Sequence, residues 1–344
     1  EKVFLMEDIA VQKKEKFLLS IIIPVYNVEK YIDQCLNSVL NCDLKDCEVL
    51  LSLGKSKDNS NFICETYKDK NSIIKIVYQN GTGLSNARNC ALKIAQGKYI
   101  VFIDSDDFVN SIYLDKIINL LRNDSFKQDV IVTDFSRYNR KTGKVHSVFQ
   151  IGENKEIYYG MEFIPHMLRK KQCFWTVWRY IYRKSFLVKN NISFCENRCC
   201  EDIDYTTRVL IANPMIAFWH CPFYVYTVKR GDSLMDKLNL KRLTDTVFII
   251  TDSIQRLRES NFRYADLVIA QYQYEYLLNM AQVVEVDSKD YVRAIQLYSN
   301  HKFVLSESKD RLINLAKLCI SFLGIKRVSA VLYSLKRLKR MINT

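Results

Sequence analysis

Four short apolar runs, at 18–23, 48–51, 73–78 and 99–103, alternate with segments of helical spacing at 29–40, 59–70 and 84–96. No other feature of the chain limits its fold as tightly. Strands that alternate with helices imply a mostly parallel α/β sheet with helices on both faces. In such sheets ligands sit beyond the carboxyl ends of the strands. Those ends carry Pro24-Val25-Tyr26-Asn27, the stretch 53–58, the stretch 79–83 and Asp104-Ser105-Asp106-Asp107. Four segments far apart in sequence are therefore expected on one edge.

The rest of the chain is organised differently. Residues 129–233 are mixed and rich in Tyr and Phe, with Trp175 and Trp178 among them. Beyond 236 glycine disappears until Gly324, proline is absent, and amphipathic helical patterns run to the end. The expected division is an N-terminal arm at 1–17, an α/β domain at 18–235 and a helical region at 236–344. That last region ends in a basic tail: from 301 to 344 there are ten Lys/Arg and two Asp/Glu. Such a charge excess attracts phosphates or anionic membrane surfaces, and also suits a solvated face. The 11 cysteines form no C-x-x-C pair and only four histidines are present. Neither zinc spacing nor a disulfide framework follows, and reduced thiols in a cytoplasmic setting are expected. No apolar run is long enough to span a bilayer.

Several motifs compete for the chemistry. Gly54-Lys55-Ser56 ends like a phosphate-binding P-loop, but the glycine required five positions earlier is Val49, so the loop cannot wrap phosphates. The stretch Gly81-Thr82-Gly83-Leu84-Ser85-Asn86, followed by a strand and Asp104, imitates a dinucleotide-binding unit. Asn86 replaces its third glycine, and a ribose needs one acid rather than a cluster. Asp104, Asp106 and Asp107 repel one another unless a cation or donors neutralise them. Their oxygens suit Mg²⁺ or Mn²⁺ shared with substrate phosphates, and a helix cap is the plainer alternative. Glu201-Asp202 opens a helical segment, where acids often serve only the dipole; an Asp there can also take a proton from a hydroxyl. Arg88, Arg230 and Ser233 offer donors for a diphosphate.

With these residues in view, the chain resembles the family 2 glycosyltransferases of the GT-A fold, especially bacterial surface-polysaccharide enzymes. The matching stretches are SIIIPVYNVEKYIDQCLNSVL, GLSNARNCALKIAQGKYIVFIDSDD, VWRYIYRKSFL, CEDIDYTTRVL and YVYTVKRGDSLM. They span residues 20 to about 235. The resemblance implies a Rossmann-like mixed, mostly parallel sheet and an inverting transfer from a nucleoside-diphosphate-sugar to an acceptor hydroxyl. It implies Asp106 as metal ligand, Asp104 on the ribose or on the metal and its bound water, Asp107 orienting the donor sugar or the metal shell, and Asp202 as catalytic base beside Glu201. Pro24, Val25 and Tyr26 would line the nucleobase, with Arg88, Arg230 and Ser233 on the donor side. The family's paired acids after the second strand are replaced by Leu53 and Gly54, while Asp58 remains. Base recognition is thereby shifted to Ser52, Asp58 or backbone groups. The expected partners are a UDP-sugar donor, with its base left open by the altered loop, and a glycan or lipid-linked saccharide acceptor. An anionic membrane at the inner face of the cell and a homo-oligomer fit as further partners; nucleic acid does not. A non-catalytic sugar-nucleotide-binding scaffold is the alternative, and a dinucleotide-dependent oxidoreductase a more distant one.

Overall fold

The computed structural model describes residues 15–123, 126–148, 156–169, 175–228 and 239–342. Its first part alternates as expected: β1 (Phe17–Val25), α1 (Ile32–Leu40), β2 (Cys47–Leu53), α2 (Ser60–Lys70), β3 (Ile74–Tyr78), α3 (Leu84–Ile94) and β4 (Gly97–Phe102). β3, β2, β1 and β4 lie side by side and parallel. The central three strands are buried along most of their length, so they read as continuous apolar runs rather than alternating ones. Gly97 opens β4 where an added Cβ would stand 2.4 Å from the Ser20 backbone nitrogen. Only glycine lets the two strands meet there.

The middle of the chain extends this sheet. It supplies β5 (Phe108–Val109), α4 (Ser111–Leu121), β6 (Val130–Asn139), β7 (Lys144–Val148), β8 (Ile157–Tyr159), α5 (Ile164–Arg169), β9 (Tyr180–Arg183), α6 (Lys184–Lys189), α7 (Glu201–Ile211) and β10 (Ile216–Val228). The order β3-β2-β1-β4-β9-β6-β10-β5 makes a mixed sheet, with β9 antiparallel to both β4 and β6. β10 bends through an irregular register between Trp219 and Tyr224. Its second half returns to the edge where β4 ends.

Alternate side chains of β1 and β4 enter two cores. Ile22, Ile100 and Phe102 face one, while Ile21, Ile23, Val101 and Ile103 face the other with α1 and α4. The first core continues into α8 (Leu240–Glu259), α9 (Ala265–Met280), α10 (Ser288–Asn300) and α11 (Arg311–Ile342). Tyr205 of α7 and Tyr272 and Tyr276 of α9 are buried in it. Burial of each such side chain contributes roughly 1.5–3 kcal/mol, enough to fix the helical region on the sheet. The expected boundary near 235 lies outside the described residues, as does the arm up to residue 14.

Candidate active site

The carboxyl end of β4 delivers Asp104, Ser105, Asp106 and Asp107 in a turn closed by the Asp107 N–H donating to the Asp104 carbonyl at 3.0 Å. The three acids then part company. Asp104 turns towards Arg88 of α3, whose Nη2 donates to its Oδ1 at 2.8 Å. Asp106 is half-buried on the same turn. Asp107 is buried and bound to β10, accepting from the Tyr224 hydroxyl at 2.6 Å and the Thr227 N–H at 2.7 Å. Burial and the neighbouring Asp104 push its carboxyl up to about 8. Asp107 is thus a strut between the acidic turn and β10, buried away from the donor sugar or metal shell that it was expected to orient. Tyr224, which carries that strut, also accepts from the Asp104 N–H and stacks on Trp178 at 4.2 Å.

Arg88 is the largest departure from expectation. It is 1% exposed, and its guanidinium lies 5.0 Å over the Phe194 ring. Besides Asp104, its Nη1 donates to Glu201 at 3.0 Å and Asp202 at 2.9 Å. A buried guanidinium requires compensating acids, and one cation here gathers three carboxylates from two distant segments. It cannot also serve as an exposed diphosphate clamp. It holds the three acids together.

Glu201 and Asp202 start α7, where acids meet the positive end of the helix dipole. Cys200 before them adopts a left-handed conformation with φ 63°, which turns the chain into the helix. The second Asp202 oxygen accepts from the Val177 N–H at 3.4 Å. Burial pushes the Asp202 carboxyl up to about 7, against the pull of Arg88; Glu201 and Asp104 add to the rise. A carboxylate that loses its proton near neutrality, with a fifth of its side chain still exposed, is suited to accept a proton from a bound hydroxyl.

The other end of the edge lies at β1, β2 and β3. Pro24 and Val25 are buried and shape the strand end, leaving Tyr26, 48% exposed, as the accessible member of that trio. Ser52 is fully buried within β2 and its Oγ has no partner among the described residues. It does not reach the edge. Asp58 accepts from the Glu29 N–H at 3.1 Å and from the Ser60 N–H and hydroxyl. It ties the β1–α1 loop to the start of α2, and those bonds hold its carboxyl below the usual range although burial opposes them. Arg230 and Ser233 lie outside the described residues. Sequence reasoning did not assign Tyr224, Thr227 or the Val177 N–H; their sole signal was position within stretches already singled out.

Residues 20–190 match the family model described as glycosyl transferase family 2. The chain is 32% identical over 212 residues to the uncharacterized glycosyltransferase EpsJ of Bacillus subtilis, covering 61% of this chain and 60% of that one. It is 30% identical over 234 residues to the cholesterol galactosyltransferase of Borreliella burgdorferi, covering 66% and 63%. This chain therefore spans about three-fifths of the length of these relatives. The fold is similar to that of S. aureus TarS 1-349 in complex with UDP-GlcNAc, with a TM-score of 0.72 over 94% of this chain and 92% of that one at 20% identity.

Proposed function

This chain belongs to glycosyl transferase family 2, and on that premise we propose that it moves a sugar, with inversion, from a nucleoside-diphosphate-sugar to an acceptor hydroxyl in a bacterial surface glycan. The observation that carries this reading is Asp202, held beside Asp104 by Arg88 and titrating near neutrality. Inversion in a single displacement requires one base, and Asp202 takes the acceptor's proton as the hydroxyl attacks. A hydrolase would instead pair two carboxylates about the bond. Glu201 shares the Arg88 guanidinium and keeps it in place. The structural neighbour's ligand supports a UDP-sugar as donor.

The residues fit a divalent cation of the Mg²⁺ or Mn²⁺ class. Among the described residues no three His, Cys, Asp or Glu converge as a complete ligand set. Asp107 is buried against β10, and Asp106 and Asp104 on the same turn would hold, as hard oxygen donors, a metal that shares substrate phosphates. When bound, the cation neutralises the departing diphosphate. Asp202→Asn is expected to lower turnover of a UDP-sugar roughly 10²–10⁴-fold, and Asp106→Asn to abolish its dependence on added metal. Unchanged turnover in both variants would refute the assignment.

The tail of the chain supports a membrane as partner. No helix among the described residues is long and apolar enough to cross a bilayer. α11 instead exposes Leu312, Leu315, Leu318 and Phe322, the last 82% exposed, while Ile313, Ile320, Ile325 and Val328 pack inward. It breaks at Gly324, with φ 75°, and carries eight Lys/Arg and no acid from 311 to 342. Two copies of such a face would repel one another. An anionic lipid surface at the inner face of the membrane complements both its charge and its apolar stripe. Leu315→Asp with Phe322→Asp should release the protein from phosphatidylglycerol vesicles; retention equal to wild type would sink this placement.

A further inference from the structure

The edge between β2 and β3 has no acid at 53 or 54, and most polar groups there are already committed. Ser52 is fully buried, Asp58 is spent on Glu29 and Ser60, and Asn61 donates its amide to the Gly54 carbonyl at 2.9 Å. Gln79 differs from all of them. It directly follows β3 and is half-buried, and its N–H is anchored on the Leu53 carbonyl at 3.1 Å. Its side-chain carboxamide makes no hydrogen bond among the described residues.

The glycine at 54 explains where that carboxamide sits. A Cβ added there would stand 3.1 Å from Gln79 Nε2 and 3.1 Å from Tyr26 Cδ2. Gln79 thus occupies the space that any side chain at 54 would enter, next to a half-exposed aromatic ring. An acid at 54 and the carboxamide of Gln79 would compete for the same space.

Resting on the reading of the chain as a nucleotide-sugar transferase, we propose that Gln79 reads the Watson–Crick edge of the donor's base in place of the missing acid. Tyr26 offers the ring against which that base stacks. A carboxylate only accepts, so it selects the imide N3–H of uracil and is repelled by the N3 lone pair of cytosine. A carboxamide carries both a donor and an acceptor. In one orientation it matches N3–H and O4 of uracil; turned over, it matches N3 and the amino group of cytosine. The site therefore accepts uracil and cytosine with similar affinity.

Calorimetric titration of the full chain with UDP and with CDP, each with Mn²⁺, tests this. Wild type should bind the two within about tenfold, the span of a single hydrogen bond. Gln79→Glu should retain UDP and weaken CDP by roughly tenfold or more, because a charged acceptor then faces the cytosine lone pair. Gln79→Ala should weaken both by a similar factor. A UDP-to-CDP ratio unmoved by Gln79→Glu would overturn the role of Gln79 and leave the transferase reading standing. A wild-type preference beyond a hundredfold would overturn the claim of shared recognition. Binding of neither diphosphate to wild type would bring down both readings together.

Discussion

At the β4–α7 end of the site, polar side chains are drawn inward around one buried cation: Arg88 joins Asp104, Glu201 and Asp202 at 2.8–3.0 Å. At the β2–β3 end, polar side chains are spent on loop backbone. Asn27 accepts from the Lys57 N–H at 2.7 Å, Ser56 from the Asn27 N–H at 3.1 Å, and Ser60 from the Val28 N–H at 2.8 Å. The first end is a charged cluster whose members change one another's ionisation. The second is a scaffold of side chains bonded to loop backbone that leaves one carboxamide unbonded among the described residues. The difference teaches that proximity to a ligand edge does not make a residue a ligand contact. Burial and prior hydrogen bonds decide which groups remain available.

The sharpest way to break this contrast is to remove the cation. Arg88→Met leaves three carboxylates around a buried site and should cost about 3–5 kcal/mol at pH 7 in denaturant unfolding. The loss should shrink at pH 5, where the acids take up protons. Equal losses at both pH values would mean that packing rather than charge holds the cluster.

The pH dependence of the intact protein comes next in size. Asp202 rises from 3.8 to about 7 on folding. Transfer should therefore gain about tenfold per unit as pH climbs towards 7 and level off above it. Its linkage to stability has the opposite sign. The contribution is full below pH 3.8 and is lost as pH rises through about 7. Asp202→Asn should thus unfold with a shallower pH dependence between those limits, measured by thermal melts across the range.

Effects at the other end should be smaller and insensitive to pH near neutrality. Asp58→Ala removes the bonds to Glu29 and Ser60 and should cost roughly 1–2 kcal/mol in the same unfolding measurement. Lys55, exposed on the loop, should give a change within about 0.5 kcal/mol when replaced by Ala. A large effect at Lys55 would show that the loop's positive charge carries function, which a scaffold of bonds to backbone does not require.

Much of the fold was legible before any coordinates. Apolar runs separated by helical spacing set β1 to β4 and the helices between them. Local periodicity carries that information because each buried strand needs apolar residues whatever its neighbours are. That the acidic turn at Asp104 shares one edge with the ends of β1, β2 and β3 was also foreseeable, since strand ends of a parallel sheet share that edge; that Asp202 of α7 meets it followed only from the family resemblance. The path of β10, which returns Tyr224 and Thr227 to the acids, was not. It depends on a register irregularity after Trp219 that no local pattern announces.

By itself, then, the sequence determined the parallel sheet, the acidic turn and the acids at the start of α7, because periodicity and residue type act locally. Tertiary structure alone decided that Arg88 gathers three acids, that Asp107 braces β10, and that Asp58 ties one loop to the next. Each of those outcomes depends on at least one partner 16 to 120 residues away, whose distance in space exists only once the chain has folded. The altered loop at 52–60 shows both halves at once. Its missing acids were plain in the sequence, while the carboxamide standing in that space follows another strand, β3, and became visible only in three dimensions.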